Sequence, residues 1–130
     1  YKFQPLCFPH EIRLLHFEKR ISGNIHCQIQ HIRLSAIYTL KYEYEALSYA
    51  WGSKVSPRPI YVNNEAHLAS KILYTALENL HFDHDRNQYR ILWVDAICIN
   101  QQDNVERNQQ VKEIGTIYSK ARRTLIWVGK

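Results

Sequence analysis

Residues 91–99 read Ile-Leu-Trp-Val-Asp-Ala-Ile-Cys-Ile, eight apolar side chains around one acid. A run this short and this rich in β-branched residues predicts a strand covered on both faces rather than a long helix. After it the period changes. Val111, Ile114, Ile117 with Tyr118, and Ala121 recur at helical spacing within residues 103–121, and Lys120, Arg122 and Arg123 place positive charge where a helix C-terminus favours it. Residues 124–128 then return to a buried strand. Strand, helix, strand closes right-handed as a βαβ unit. The expected class is therefore α/β, a flavodoxin-like, mostly parallel sheet with flanking helices and with residues 91–99 as its central strand.

The rest of the chain supplies the partners of that unit. Residues 11–17 and 25–34 predict two strands, the second alternating apolar with polar residues in its first part, joined by the turn residues Ser22-Gly23-Asn24. They form an N-terminal hairpin over about residues 11–34 with one wet face. Residues 46–51 predict a short buried strand that stops at Gly52-Ser53. Ser56-Pro57-Arg58-Pro59 reads as a loop, because proline lacks a donor N–H and constrains its predecessor. Ile60-Tyr61-Val62 and Ala66-His67-Leu68 flank Asn63-Asn64, whose tolerance of positive φ suits a tight hairpin. From Ser70, a plausible N-cap, Ile72, Leu73, Ala76, Leu77 and Leu80 mark one face of an amphipathic helix. Residues 82–88 are polar and read as a surface connection.

One hundred and thirty residues make one domain, with an α/β core over about residues 44–129, and 45% hydrophobic against 22% charged residues exclude a disordered chain. The chain holds no methionine and begins at Tyr1, as expected of a piece of a longer protein or of a processed N-terminus. Its charge of +5 is not gathered: residues 1–65 carry eight basic and five acidic residues, residues 66–130 nine and seven. The densest basic spots, Lys19-Arg20 and Arg122-Arg123, are pairs, which fits a solvated surface better than a polynucleotide track. Cys7, Cys27 and Cys98 are odd in number and lack C-x-x-C spacing, so neither a disulfide framework nor a zinc finger is supported and a reducing, cytoplasmic setting is expected. His81 and His84 lie three apart but have no third ligand nearby, and read as a polar loop after a helix. No apolar run approaches the roughly 20 residues that span a bilayer.

Chemistry in such a sheet is expected at the carboxyl ends of the strands. Two segments qualify: Ser48-Tyr49-Ala50-Trp51-Gly52-Ser53, and Asp95 with Asn100-Gln101-Gln102-Asp103. A carboxylate within an apolar run is costly unless paired, so Asp95 is either a buried acceptor clamping the neighbouring loops or a ligand group. Trp51 is either core filler or a stacking platform, and Gly52 needs only a tight turn. Asp103-Asn104-Val105-Glu106 has capping-box spacing. Glu106 also overlooks the expected cleft, where a carboxylate can stabilise an oxocarbenium-like ribosyl cation.

Tyr44-Glu45-Ala46-Leu47-Ser48-Tyr49-Ala50-Trp51-Gly52, Leu92-Trp93-Val94-Asp95-Ala96-Ile97-Cys98-Ile99-Asn100-Gln101, Glu106-Arg107-Asn108-Gln109-Gln110-Val111, Ile117-Tyr118-Ser119-Lys120-Ala121 and Ile126-Trp127-Val128-Gly129 together resemble the heterokaryon incompatibility (HET) domain of filamentous fungi. Glu11-Ile12-Arg13-Leu14-Leu15 fits that family's first strand. The resemblance implies a self/non-self recognition protein that triggers programmed cell death when an incompatible partner or receptor module activates it. The family in turn is similar to Toll/interleukin-1 receptor (TIR) domains, which implies a TIR-like fold and self-association. By strand–loop–helix order, Glu106 stands where NAD-cleaving TIR domains carry their glutamate.

Two mechanisms follow from the resemblance. In one, NAD or a related nucleotide is the substrate, with no resident cofactor or metal: Tyr49 or Trp51 faces its ring, Gly52-Ser53 passes its phosphates, Ser48, Asp95, Asn100 and Gln101 hold polar groups, and Glu106 is catalytic. Glu106→Gln is then expected to abolish cleavage and leave the melting temperature nearly unchanged. In the other, the domain signals by homo-oligomerising and these polar residues only set loop geometry.

Overall fold

The computed structural model describes residues 1–7, 10–34, 44–50 and 56–128. Ser22 and Gly23 take φ of 52° and 81°, the left-handed geometry of a tight hairpin turn, and join β1 (Glu11–Ile21) to β2 (Asn24–Arg33). β3 is Glu45–Tyr49. β4 (Arg58–Val62) and β5 (Glu65–Ala69) close over Asn63 and Asn64, both at positive φ as their hairpin requires. The predicted loop at Arg58 and Pro59 is thus the start of β4. Pro59 pairs with Leu68 of β5, and proline is admitted because β2 engages β4 only at Tyr61 and Val62, so the β2 side does not ask for the missing N–H.

The helices follow their caps. In α1 (Lys71–Leu80) the Ser70 hydroxyl accepts from the Leu73 N–H at 3.2 Å, and Leu73, Tyr74, Ala76 and Leu77 are buried. β6 (Phe82–Asp83) and β7 (Gln88–Tyr89) make a small separate hairpin where a plain surface connection was expected. Asp83 organises it, accepting from the N–H groups of Asp85 and Arg86 at 3.1 and 3.2 Å.

The predicted central strand is shorter than its apolar run. β8 covers only Ile91–Trp93, and at Asp95 the chain turns into the short helix α2 (Asp95–Cys98), closed by Cys98 N–H to Val94 O at 2.7 Å. Apolar character alone cannot separate a buried strand from a buried helical turn, and here the turn buries Ile97 and Cys98 as completely as a strand would. α3 (Asn104–Lys120) begins at the Asp103 cap, whose carboxylate accepts from the Val105 and Glu106 N–H groups, both at 3.1 Å. β9 is Thr124–Trp127.

Seven strands form one sheet in the order β5-β4-β2-β1-β8-β3-β9. Its class is mixed α/β. The pairs β2/β4, β3/β8 and β3/β9 are parallel, while β1/β2, β1/β8 and β4/β5 are antiparallel, so the expectation of a mostly parallel sheet is corrected. The parallel trio β8-β3-β9 is the βαβ unit with β3 inserted between its strands. β1, expected to have a wet face, is the middle strand, and Glu11 through Leu15 are all buried. β9, expected to be buried, is an edge strand with Ile126 at 72% exposure.

At the amino ends of the parallel strands, buried Glu45 collects three arginines: Arg90 Nε at 3.1 Å, Arg122 Nη2 at 3.1 Å and Arg123 Nε at 2.5 Å. Arg90 also approaches Asp83 at 3.7 Å. The basic pair 122–123 is thereby committed to holding the α3–β9 connection against β3.

Candidate functional site

The carboxyl ends of β8 and β3 carry two separate groups of the predicted residues. The first surrounds Asp95. Its backbone carbonyl accepts from Gln101 Nε2 at 3.0 Å, and its carboxylate charge is felt by Tyr49 and Tyr118. Burial pushes the Tyr49 hydroxyl far above the ordinary tyrosine value, with the charge of Asp95 and then Tyr118 adding to the rise. Tyr118 stands edge-on to Trp93 at 5.8 Å and donates to the Leu47 carbonyl at 3.4 Å. Asp95 is therefore a neighbour of Tyr49 and Gln101, and it opens a helix rather than lying inside a strand.

The second group surrounds Glu106. Arg13, on β1 and fully buried, presents a bidentate fork: Nη1 to Glu106 Oε2 and Nη2 to Oε1, each at 2.7 Å. The same guanidinium donates to Cys98 O at 2.9 Å and Gln4 O at 2.8 Å, and lies 4.9 Å from the Phe3 ring centre. Asn100 N–H adds a third bond to Glu106 Oε2 at 2.7 Å. Both carboxylate oxygens are engaged. The capping box is half formed: Asp103 caps the helix, but its own N–H goes to Asn100 O at 3.1 Å while the Glu106 side chain turns to Arg13. Asn100 Oδ1 accepts from the Gln102 N–H at 3.1 Å.

Beside this pair runs a groove of about 610 Å³ between the N-terminal segment and the first turns of α3. Glu106 lines it; Asp95 does not. The two acids singled out in the sequence therefore do not converge on one cavity. Ser48 is half-buried opposite Ile126 of β9 and is tied to neither group by a hydrogen bond among the described residues. Trp51, Gly52 and Ser53 lie outside the described residues.

Sequence reasoning missed Arg13, and the signal was present: a charge between Ile12 and Leu14-Leu15 in a strand is the same anomaly that drew attention to Asp95. Glu11 and Gln110 were also missed. Glu11 is buried, its Oε1 accepting from Cys7 N–H at 2.8 Å, and Gln110 donates from Nε2 to the Glu11 backbone carbonyl at 2.9 Å. His81 Nδ1 lies 3.1 Å from the Leu77 and Glu78 carbonyls at the end of α1, while His84 packs on Phe82. Among the described residues, no three His, Cys, Asp or Glu side chains are grouped to hold a metal ion, and no helix is long and apolar enough to cross a membrane.

Comparison with known proteins adds a family. Residues 44–130 match the family described as heterokaryon incompatibility protein (HET). Heterokaryon incompatibility protein 6, OR allele, of Neurospora crassa is 38% identical over 96 residues, which is 66% of this chain and 14% of that protein. The chain thus spans about one-seventh of the length of this curated relative. No solved structure matches.

Proposed function

Since the chain belongs to the heterokaryon incompatibility (HET) family, we propose that it is a fungal self/non-self recognition domain that triggers programmed cell death through TIR-like self-association. The incompatibility role is carried by the match over residues 44–130, which spans β3 to β9 and all three helices. An incompatibility partner or receptor module supplies activation, in the cytoplasm. The TIR-like part of this reading draws on the parallel trio β8-β3-β9 and its crossover helix.

One observation favours association over chemistry at Glu106. A carboxylate that stabilises a ribosyl cation needs an oxygen turned toward the sugar, whereas here Arg13 and the Asn100 N–H occupy both. Arg13–Glu106 then serves as the bolt between the central strand and α3.

A second reading, cleavage of NAD with Glu106 as the catalytic residue, has position in its favour. Glu106 lies at the carboxyl end of β8 beside a groove, and Tyr49, Asp95, Asn100 and Gln101 lie near the same strand ends, with Ser48 on β3 and Trp51, Gly52 and Ser53 following in sequence. It requires Glu106 to leave Arg13 first. Incubating the chain with NAD at concentrations where sedimentation shows assembly tests both readings. The association module predicts no nicotinamide release above blank; release that rises with assembly would replace it with the hydrolase.

A further inference from the structure

The groove beside Glu106 has a one-sided chemistry that the incompatibility role leaves unused. Among the described residues, its walls carry four carboxylates and neither lysine nor arginine. Three of the four are occupied: Glu106 by Arg13, Asp103 by the helix N–H groups, and Glu113 by His10 Nδ1 at 2.6 Å. Glu11 differs. It is only 7% exposed; its Oε1 takes the Cys7 N–H and stands 3.5 Å from His31 Nδ1, while its Oε2 receives no hydrogen bond among the described residues. Burial lowers the His31 pKa, and the Arg13 charge lowers it further against the pull of Glu11, so His31 is a poor counter-charge.

Gln110 stands in the same wall, 3% exposed. Its Nε2 bond to the Glu11 carbonyl fixes which way the amide faces, and Oε1 is left buried with no partner among the described residues. A buried acceptor without a donor is costly, and a buried carboxylate without a cation more so. Together they are complementary to a group that brings both charge and several N–H donors.

We propose that this groove binds a guanidinium or primary ammonium group, which donates to Glu11 Oε2 and, by displacing the packing over that buried atom, to Gln110 Oε1, while its aliphatic stem lies along Leu6 and Val105. The proposal stands on the groove alone and is independent of the family role. A planar guanidinium suits two acceptors best, because its donors are held in a fixed fork. The volume accommodates such a side chain with room for a neighbouring residue.

Titration of the isotope-labelled chain by NMR tests this with agmatine as a free cation, an acetyl-Gly-Arg-Gly-amide peptide, and the same peptide with neutral citrulline. Saturable shifts at Glu11 and at the Gln110 side-chain amide are expected, with the citrulline peptide at least tenfold weaker. Tighter binding of the arginine peptide than of agmatine assigns the cation to a protein partner, and equal binding assigns it to a small molecule. Glu11→Gln is expected to weaken either ligand at least tenfold. Val105→Lys, at a position 74% exposed and so remote from folding, should do the same. Equal binding of citrulline, undiminished binding by both variants, or no saturable shift at these two residues overturns the proposal.

Discussion

Arg13 and Glu106 make a demanding contact, a two-pronged ion pair whose side chains are 0% and 9% exposed. Removing one partner of such a pair leaves a charge buried without compensation, at a cost of about 3–5 kcal/mol. Glu106→Gln and Arg13→Met are each expected to lower unfolding free energy by that much in urea denaturation. The double variant should lose far less than the sum, because no charge stays buried and the glutamine oxygen still accepts the Asn100 N–H. Additive losses would mean that the two side chains are not coupled. This replaces the expectation that Glu106→Gln leaves the melting temperature unchanged. Capping-box spacing pointed Glu106 at its own helix, whereas its true partner lies 93 residues away and has no local signature. The cysteines make a second test. Burial pushes the Cys98 thiol up to about 12, and raises Cys27 further, while Cys7 is exposed. An aromatic disulfide reagent at pH 8 should titrate one thiol in the native chain and three after denaturation; a rapid second equivalent would contradict the burial of both.

At the scale of elements, what was legible was local. Ser70 and Asp103 act as the caps their positions predicted, and Asn63-Asn64 turns the hairpin it was expected to turn. Asp103→Ala should cost about 0.5–2 kcal/mol, read as a lower urea midpoint with unchanged slope. What was not legible depended on partners distant in sequence. Residues 95–98 continue an apolar run, yet they form a helical turn: β8 pairs with β1 at Ile91 and Leu92 and with β3 at Leu92 and Trp93, and both ladders stop there. The groove draws on residues 5–7, 10 and 11 and on residues within 103–113, stretches that no periodicity links. Asp95, singled out as a carboxylate within an apolar run, opens α2 instead and does not line the groove that Glu106 lines.

At the scale of the whole molecule, the sheet places its best-covered strand, β1, at the centre and leaves β9 at an open edge, an order that strand patterns alone do not encode. Burial holds His16, His67 and His31, on three different strands, below the ordinary imidazole value of 6.5. The unfolded chain therefore takes up protons first. The stability these residues contribute is complete above pH 6.5 and is lost as pH falls from there through their lowered folded values. Burial pushes the Asp83 carboxyl up, but the Arg86 N–H, the Arg90 guanidinium and the Asp85 N–H outweigh it and hold it below the ordinary value of 3.8, so a further loss follows only in that lower range. Melting temperature should decline between pH 7 and 5 and again below 4; a flat profile from 7 to 5 would contradict the burial of these rings. The central claim, that this domain signals incompatibility by association while Glu106 serves the fold, is tested most directly by expressing the wild type and the Arg13→Met/Glu106→Gln double variant in fungal hyphae and scoring cell death. The account predicts equal killing at equal folded protein. A folded double variant that fails to kill, beside a wild type that depletes NAD, would contradict it.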